Sequence, residues 1–245
     1  MFVGTSAGSV VAARITTSGK SLAELYAEQL EPSSPSAAPH STLSKVMLLR
    51  YGWHLWRAKN PDDFARRMGQ LALDAKTETE AERRPAFQKL LGDSPQWPAV
   101  PLRITTLHAK TGALRAFDRE SGASLLDAVG ASAAVPGVWP PVTIQGERYI
   151  DGGMRSGTHA NLASEKKHIV IIAPLTFGTR VMTSPWAHQK ELEAAGAKVA
   201  LVTPDAAAKK AIGGDVLDPR ARVPAARAGH EQAARVREVV AQVIC

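Results

Sequence analysis

Hydrophobic and polar positions follow two different rhythms along this chain. Up to about residue 91 the apolar residues recur at helical spacing, and beyond it they gather into short β-branched runs. Phe2 and Val3 form a scrap of apolar strand, followed at once by Gly4-Thr5-Ser6-Ala7-Gly8 and a helix of small residues over 9–14. A second helix is predicted over 21–29, with Ser21 as its cap and Glu24 at the reciprocal capping position. Residues 31–44 are rich in Ser, Pro and Ala, with Pro32, Pro35 and Pro39, and read as a mobile loop. Helices are expected from about 42 to 91. Leu48, Leu49, Trp53, Trp56, Phe64, Met68, Leu71 and Leu90 are spaced there for apolar faces, and Asn60-Pro61 marks a break and restart.

The second rhythm predicts strands over 101–107 and 113–117, a short helix of small residues over 125–132 and a rigid turn over 135–141. Residues 142–144 and 148–150 flank Gln145-Gly146 and read as a hairpin, with Asp151-Gly152-Gly153 directly after it. The run 168–173 is nearly all apolar, which predicts a strand buried on both faces. A helix over 186–195, a further buried strand over 198–203 and an amphipathic helix over 231–243 complete the pattern. Strands alternating with helices imply an α/β fold layered around a mostly parallel sheet. The 245 residues fit one domain, 1–245, with a helical cap or insertion at about 31–95. No internal repeat is visible.

Composition excludes several classes. An apolar fraction of 44% with 22% charged residues rules out a disordered or fibrous chain. The lone cysteine, Cys245, leaves no internal disulfide and no cysteine-based metal site. No stretch is long and apolar enough to span a membrane, and no leader-like start is seen, so the expected compartment is the cytoplasm. The net charge of +7 suits anionic partners such as lipid headgroups, though ordinary surface charge accounts for it equally well. No nucleic-acid motif accompanies the charge, so no nucleic-acid partner is expected. No histidine or acidic pattern suggests a metal, and no cofactor is implied.

Gly4-Thr5-Ser6-Ala7-Gly8 is a G-x-S-x-G pattern between a strand and a helix, the setting of a nucleophile elbow. A tight turn there would hold the Ser6 hydroxyl outward. The helix N-terminus, with the Ala7 N–H as one donor, would face a developing oxyanion. A plain strand–helix turn or phosphate loop is the alternative reading. A serine nucleophile needs a base. Asp151 sits at a predicted strand end, and Gly152 and Gly153 let backbone approach it closely. A Ser–Asp–His triad in α/β-hydrolase order would pair Ser6 and Asp151 with His159, His168, His188 or His230. The histidine nearest Asp151 in sequence is His159.

The elbow, the Ala131-Ser132-Ala133-Ala134-Val135-Pro136-Gly137-Val138 box and the Asp151-Gly152-Gly153 motif, in that order, resemble the patatin-like phospholipase family. The resemblance implies a three-layer α/β/α fold and hydrolysis of lipid acyl esters, phospholipids among them, by a Ser–Asp dyad. It makes Ser6 the nucleophile and Asp151 the general base. Members of that family carry a glycine-rich oxyanion loop ahead of the elbow. Only three residues precede Gly4 here, so that loop is expected to be missing. A non-catalytic remnant that binds lipid or protein is therefore the alternative function. The segment 50–59 mixes Tyr51, Trp53 and Trp56 with Arg50, Arg57 and Lys59. It reads either as a membrane-interface helix or as a cap helix with its aromatics on the core. Oligomeric state is not legible.

Overall fold

The computed structural model describes residues 1–31 and 45–244. Most of the loop expected at 31–44, together with Cys245, lies outside the described residues. Helix boundaries follow local chemistry. After β1 (Phe2–Thr5) and α1 (Ala7–Thr17) comes α2 (Leu22–Leu30). Its capping box is complete: the Glu24 N–H donates to Ser21 Oγ at 3.2 Å and the Ser21 N–H to Glu24 Oε2 at 2.8 Å. Three helices follow: α3 (Lys45–Arg57), α4 (Pro61–Asp74) and α5 (Glu80–Leu91). Asn60 caps α4 with Pro61 at its first position, and Thr79 and Glu82 form a second capping box on α5.

The sheet is organised by β2 (Leu102–His108). On one side β3 (Leu114–Phe117) pairs with it antiparallel over residues 104–107. The other edge is shared by two strands, end to end. β1 runs parallel to its first half, Thr5 opposite Thr105. After α6 (Leu125–Ser132) and β4 (Val142–Ile144), β5 (Glu147–Asp151) runs antiparallel along its second half, with Asp151 opposite Thr106. β4 and β5 form the expected hairpin, with both Gln145 (φ 53) and Gly146 (φ 81) at positive φ as a two-residue turn requires.

Side-chain alternation along β2 separates the layers. Leu102 and Ile104 join Ala12, Ala13, Phe87, Leu125, Val129 and Phe117 on the face covered by α1, α5 and α6. Leu107 and Ile150 join Phe64, Met68, Leu71 and Ala109 on the face covered by α4, with Met47, Tyr51 and Leu55 of α3 at its margin. The last part of the chain holds β6 (His168–Ile172), α7 (Pro185–Ala194), β7 (Lys198–Val202), α8 (Ala206–Ile212) and α9 (Arg222–Ile244). β6 and β7 pair parallel, apart from the main sheet. α9 packs on both strands and on α2, where His230 stacks on Tyr26 at 4.4 Å. Arg103 of β2 reaches across to donate to the Leu162 carbonyl at 2.6 Å.

The α/β layering matches the expectation from sequence, but three details differ. The parallel share is smaller: β1 with β2 and β6 with β7 are parallel, while the other three described pairings are antiparallel. Short returns such as 109–113 and 145–146 admit only antiparallel neighbours. β6 is not buried on both faces. Ile169 and Ile171 pack against Ala160 and Leu192, whereas His168 is exposed and Ile172 is 72% exposed. Successive side chains of a strand point to opposite faces, so Ile169 and Ile171 fill the covered face while His168 and Ile172 lie on the more open one. Finally, the apolar positions of α3, α4 and α5 divide. Phe64, Met68 and Leu71 are buried, but Leu48, Leu49, Trp53, Trp56 and Leu90 face outward.

That division is measurable. Met68→Ala should empty a fully buried site and lower stability by about 3 kcal/mol, a fall in Tm of roughly 6–12 °C. Leu49→Ala, at a site 74% exposed, should leave Tm within about a degree or two of the parent. Equal effects in thermal melts would contradict the face assignment.

Candidate active site

β1 and β5 approach each other tip to tip on the shared edge of β2, between Thr105 and Thr106. Ser6 follows the last residue of β1 and Asp151 is the last residue of β5, so the two meet across 145 positions of sequence. Ser6 Oγ donates to Asp151 Oδ2 at 2.6 Å. Ser6 is held at φ 53, ψ −126, a backbone region costly for a residue with a side chain. Three hydrogen bonds hold it there. Its N–H donates to Ser132 Oγ at 2.9 Å, and its carbonyl accepts from the Ser9 N–H at 2.9 Å and from Ser9 Oγ at 2.6 Å. Position 4 admits only glycine, because a Cβ there would stand 2.6 Å from Ser9 Cα.

α1 begins directly at the elbow, with Ala7 and Gly8 as its first residues. The first N–H groups of a helix have no acceptor within it, so the Ala7 and Gly8 amides sit beside Ser6 at the positive end of the helix dipole. Ala7 and Gly8 are exposed, whereas Ser9, Ala12 and Ala13 of the same helix are buried. A Cβ added to Gly8 would meet nothing within 4 Å among the described residues, so the flank of the helix at Gly8 is uncrowded.

Asp151 is 2% exposed. Burial pushes its pKa up to about 6, and the hydrogen bonds from Ser6 and from the Gly153 N–H partly oppose that rise. The Gly153 amide donates to Oδ1 at 2.7 Å, so each carboxylate oxygen has one partner. The Asp151 N–H donates to the Ala134 carbonyl at 3.1 Å. Gly152 lies so close to β2 that a Cβ there would come 2.7 Å from Thr105 Oγ1. Thr105 Oγ1 in turn bonds Thr5 Oγ1 at 2.8 Å, locking the register of β1 where the two strand tips meet.

Several contributors carried no role in the sequence reading. Ser132 and Ala134, at the end of α6, hold the backbones of Ser6 and Asp151 respectively. They lie in the small-residue box that was legible as a motif but not as a hydrogen-bonding clamp. Tyr51 of α3 donates to the Pro136 carbonyl at 2.7 Å, and burial and the nearby Asp151 charge hold its phenol well above the usual range. Among the described residues no histidine bonds Ser6 or Asp151. His159 is buried, and its Nε2 donates instead to the Gly152 carbonyl at 2.9 Å. Burial lowers its pKa to about 4, so it is neutral at pH 7. His188 bonds Thr158, and His168 lies exposed on β6. His230 stacks on Tyr26. Among the described residues no group of His, Cys, Asp and Glu is placed to hold a metal ion.

The chain belongs to the patatin-like phospholipase family, whose sequence profile matches residues 1–163. The matched stretch holds both Ser6 and Asp151 and ends before β6. The family is one of lipid acyl hydrolases, acting on lipid substrates. A search of curated proteins finds no match. Among the described residues no helix is long and apolar enough to cross a membrane.

The buried carboxyl makes stability depend on pH. The folded protein holds the Asp151 proton up to about pH 6, whereas an unperturbed carboxyl releases it near 3.8. Between those values the folded state binds more protons, so this group's contribution to stability falls as pH rises. Asp151→Asn keeps an acceptor for the Gly153 N–H and a donor toward Ser6. It should therefore melt above the parent at neutral pH, by up to about 3 kcal/mol, with the gap closing toward pH 4. A variant less stable than the parent at pH 7 in thermal melts would show that burial of the charge costs nothing.

Proposed function

We propose that this protein hydrolyses acyl esters of lipids, with phospholipids as the expected substrates, through a dyad of Ser6 and Asp151. The observation that carries the reading is the 2.6 Å hydrogen bond from Ser6 Oγ to a buried carboxylate at a strained strand–helix elbow. As Ser6 Oγ attacks the ester carbonyl, Asp151 takes its proton. The new oxyanion is met by the Ala7 and Gly8 amides at the start of α1. Collapse of the tetrahedral intermediate expels the alcohol, which leaves with the proton from Asp151, and an acyl group remains on Ser6. Water then attacks the acyl-enzyme with Asp151 again accepting the proton, which Asp151 returns to Ser6 Oγ as the acyl–oxygen bond breaks and the fatty acid departs. A carboxyl with a pKa of about 6 is a stronger base than an ordinary aspartate and is still ionised at pH 7.

Two observations favour the dyad over a triad. Both Asp151 oxygens are occupied, by Ser6 and by the Gly153 amide. The neutral His159 is turned to the Gly152 carbonyl rather than to either partner. A non-catalytic lipid-binding role is the competing outcome of the assays below.

Ser6→Ala should abolish hydrolysis of a chromogenic short-chain ester, and a fluorophosphonate probe should label Ser6 alone, as read by peptide mass spectrometry. Asp151→Asn should lower kcat by about 10²–10⁴. For the parent, kcat/KM should rise with pH through about 6 and then level, because only ionised Asp151 accepts the proton. His159→Gln retains a donor for the Gly152 carbonyl and should stay within about tenfold of the parent. A loss as deep as that of Ser6→Ala would replace the dyad by a triad. Absence of both labelling and turnover in the parent would leave the lipid-binding role.

A further inference from the structure

The helix whose Tyr51 lies near Asp151 has a second apolar face. Along α3, Met47, Tyr51, Leu55 and the adjacent Ala58 turn inward on the core. At 100° per residue, Leu48, Gly52, Trp56, Leu49, Trp53 and Val46 occupy a continuous outward arc of about 160°. The large side chains on that arc are exposed: Val46 by 62%, Leu48 by 53%, Leu49 by 74%, Trp53 by 53% and Trp56 by 71%. The one charged position on the arc is Lys45, at the first residue of the helix, and α3 contains no Asp or Glu. Arg50 and Arg57 flank one side of it, with the Arg57 guanidinium 5.3 Å from the Trp53 ring centre. Exposed Lys59 and Arg180 add charge at the C-terminal end, where Arg180 donates to the Leu55 and Trp56 carbonyls at 2.7 Å each. A helix apolar on both faces normally lies inside a protein, and a patch of this kind marks an interaction surface.

We propose that the outer face of α3 docks on an anionic phospholipid bilayer, presenting the Ser6–Asp151 site to the lipid; this rests on the lipid-hydrolase reading above. Charge decides the occupant. Two copies of the chain laid face to face would bring Arg50, Arg57, Lys59 and Arg180 against like charges, whereas lipid phosphates neutralise them. Tryptophans with flanking arginines suit the headgroup boundary, the rings entering the acyl region while the guanidinium groups stay with phosphate. The chain's net charge of +7 acts in the same direction. Geometry links this surface to the chemistry. Tyr51, on the inner face of the same helix, bonds Pro136, two residues beyond the carbonyl that holds the Asp151 backbone. One side of α3 therefore borders the dyad while the other meets the membrane.

The test measures binding without turnover, on full-length Ser6→Ala protein sedimented with phosphatidylcholine vesicles containing about one quarter phosphatidylglycerol. Binding should exceed that to pure phosphatidylcholine vesicles and weaken as salt is raised. In the same background Trp53→Ala with Trp56→Ala should lower partition at least about tenfold with Tm unchanged. Arg50→Glu with Arg57→Glu should remove the preference for anionic vesicles. Lipids brominated in the acyl chain should quench tryptophan emission, and the conservative Trp53→Phe, Trp56→Phe pair should bind but lose that quenching. No binding by the parent, full binding by the alanine pair, or quenching that survives the phenylalanine pair overturns the proposal. So does a dimer that the alanine pair splits while vesicle binding stays the same. Binding without ester hydrolysis in the Ser6-containing protein overturns the hydrolase reading alone. Hydrolysis of a soluble ester without vesicle binding overturns the docking face alone.

Discussion

Two strands share one edge of β2, and the point where they meet is the point where the chemistry can occur. β1 ends opposite Thr105 and β5 ends opposite Thr106, so residues at the two C-terminal tips are neighbours by the spacing of the ladder alone. A central strand can seat two partners on one edge only if each is short, and β1 and β5 have four and five residues. β3 occupies the opposite edge over the same stretch, leaving β2 no freedom to shift. The Thr5–Thr105 hydroxyl pair and the close seat of Gly152 on Thr105 fix the register at this junction. A one-residue slip of either strand would turn its terminal side chain to the other face and separate the pair.

The cost of this arrangement is concentrated in two residues. Ser6 adopts a strained backbone, and Asp151 is a buried carboxyl whose ionised form is disfavoured. Neither would persist without over-determination from its surroundings. That support comes from the end of α6: Ser132 binds the Ser6 amide and the Ala134 carbonyl binds the Asp151 amide. α6 is itself fixed by burial of Leu125, Leu126, Ala128, Val129 and Ala131 in the core against β2 and β4. Hydrophobic packing of one short helix thus holds the strained serine and the buried acid in contact. His159 extends the support to the turn after Asp151, as a neutral ring on the Gly152 carbonyl.

α3 and α4 lie on the other face of the sheet. α4 supplies the buried layer through Phe64, Met68 and Leu71, and α3 rides on its margin. The two helices differ in what lies beyond them. α4 is polar on its outer side, with Asp62, Arg66 and Gln70 exposed, and its buried Asp63 pairs with Arg66 and Arg67. Those two guanidinium groups, with the Lys59 amide, hold the Asp63 carboxyl well below its ordinary range. α3 is apolar on its outer side, and its inner edge reaches Pro136 through Tyr51. The aromatic residues of 50–59 thus divide between the two sides of the helix, Tyr51 facing the core and Trp53 and Trp56 facing out.

Features set by a few neighbouring residues were legible from sequence alone. The capping boxes at Ser21–Glu24 and the restart at Pro61 follow from side chains reaching their own backbone. The Gln145-Gly146 hairpin follows from the positive φ that such a turn demands. The strand–turn–helix around Ser6 follows from small residues at fixed offsets, and the order of helices and strands follows from hydrophobic period. Tertiary structure decided the rest. Periodicity shows that Trp53 and Met68 are apolar positions on helices, but not which side of each helix will find a partner; one is exposed and the other buried. It predicts strands over 101–107 and 148–150 but not that the second pairs antiparallel beside the first. Ser132 reads as one small residue among several until the elbow folds over it. The contact of Ser6 with Asp151 spans 145 residues and exists only because two strands end at one edge. Local sequence encodes dihedral preference and period, whereas partners distant in the chain are selected by the collective burial of surfaces, which no short window contains.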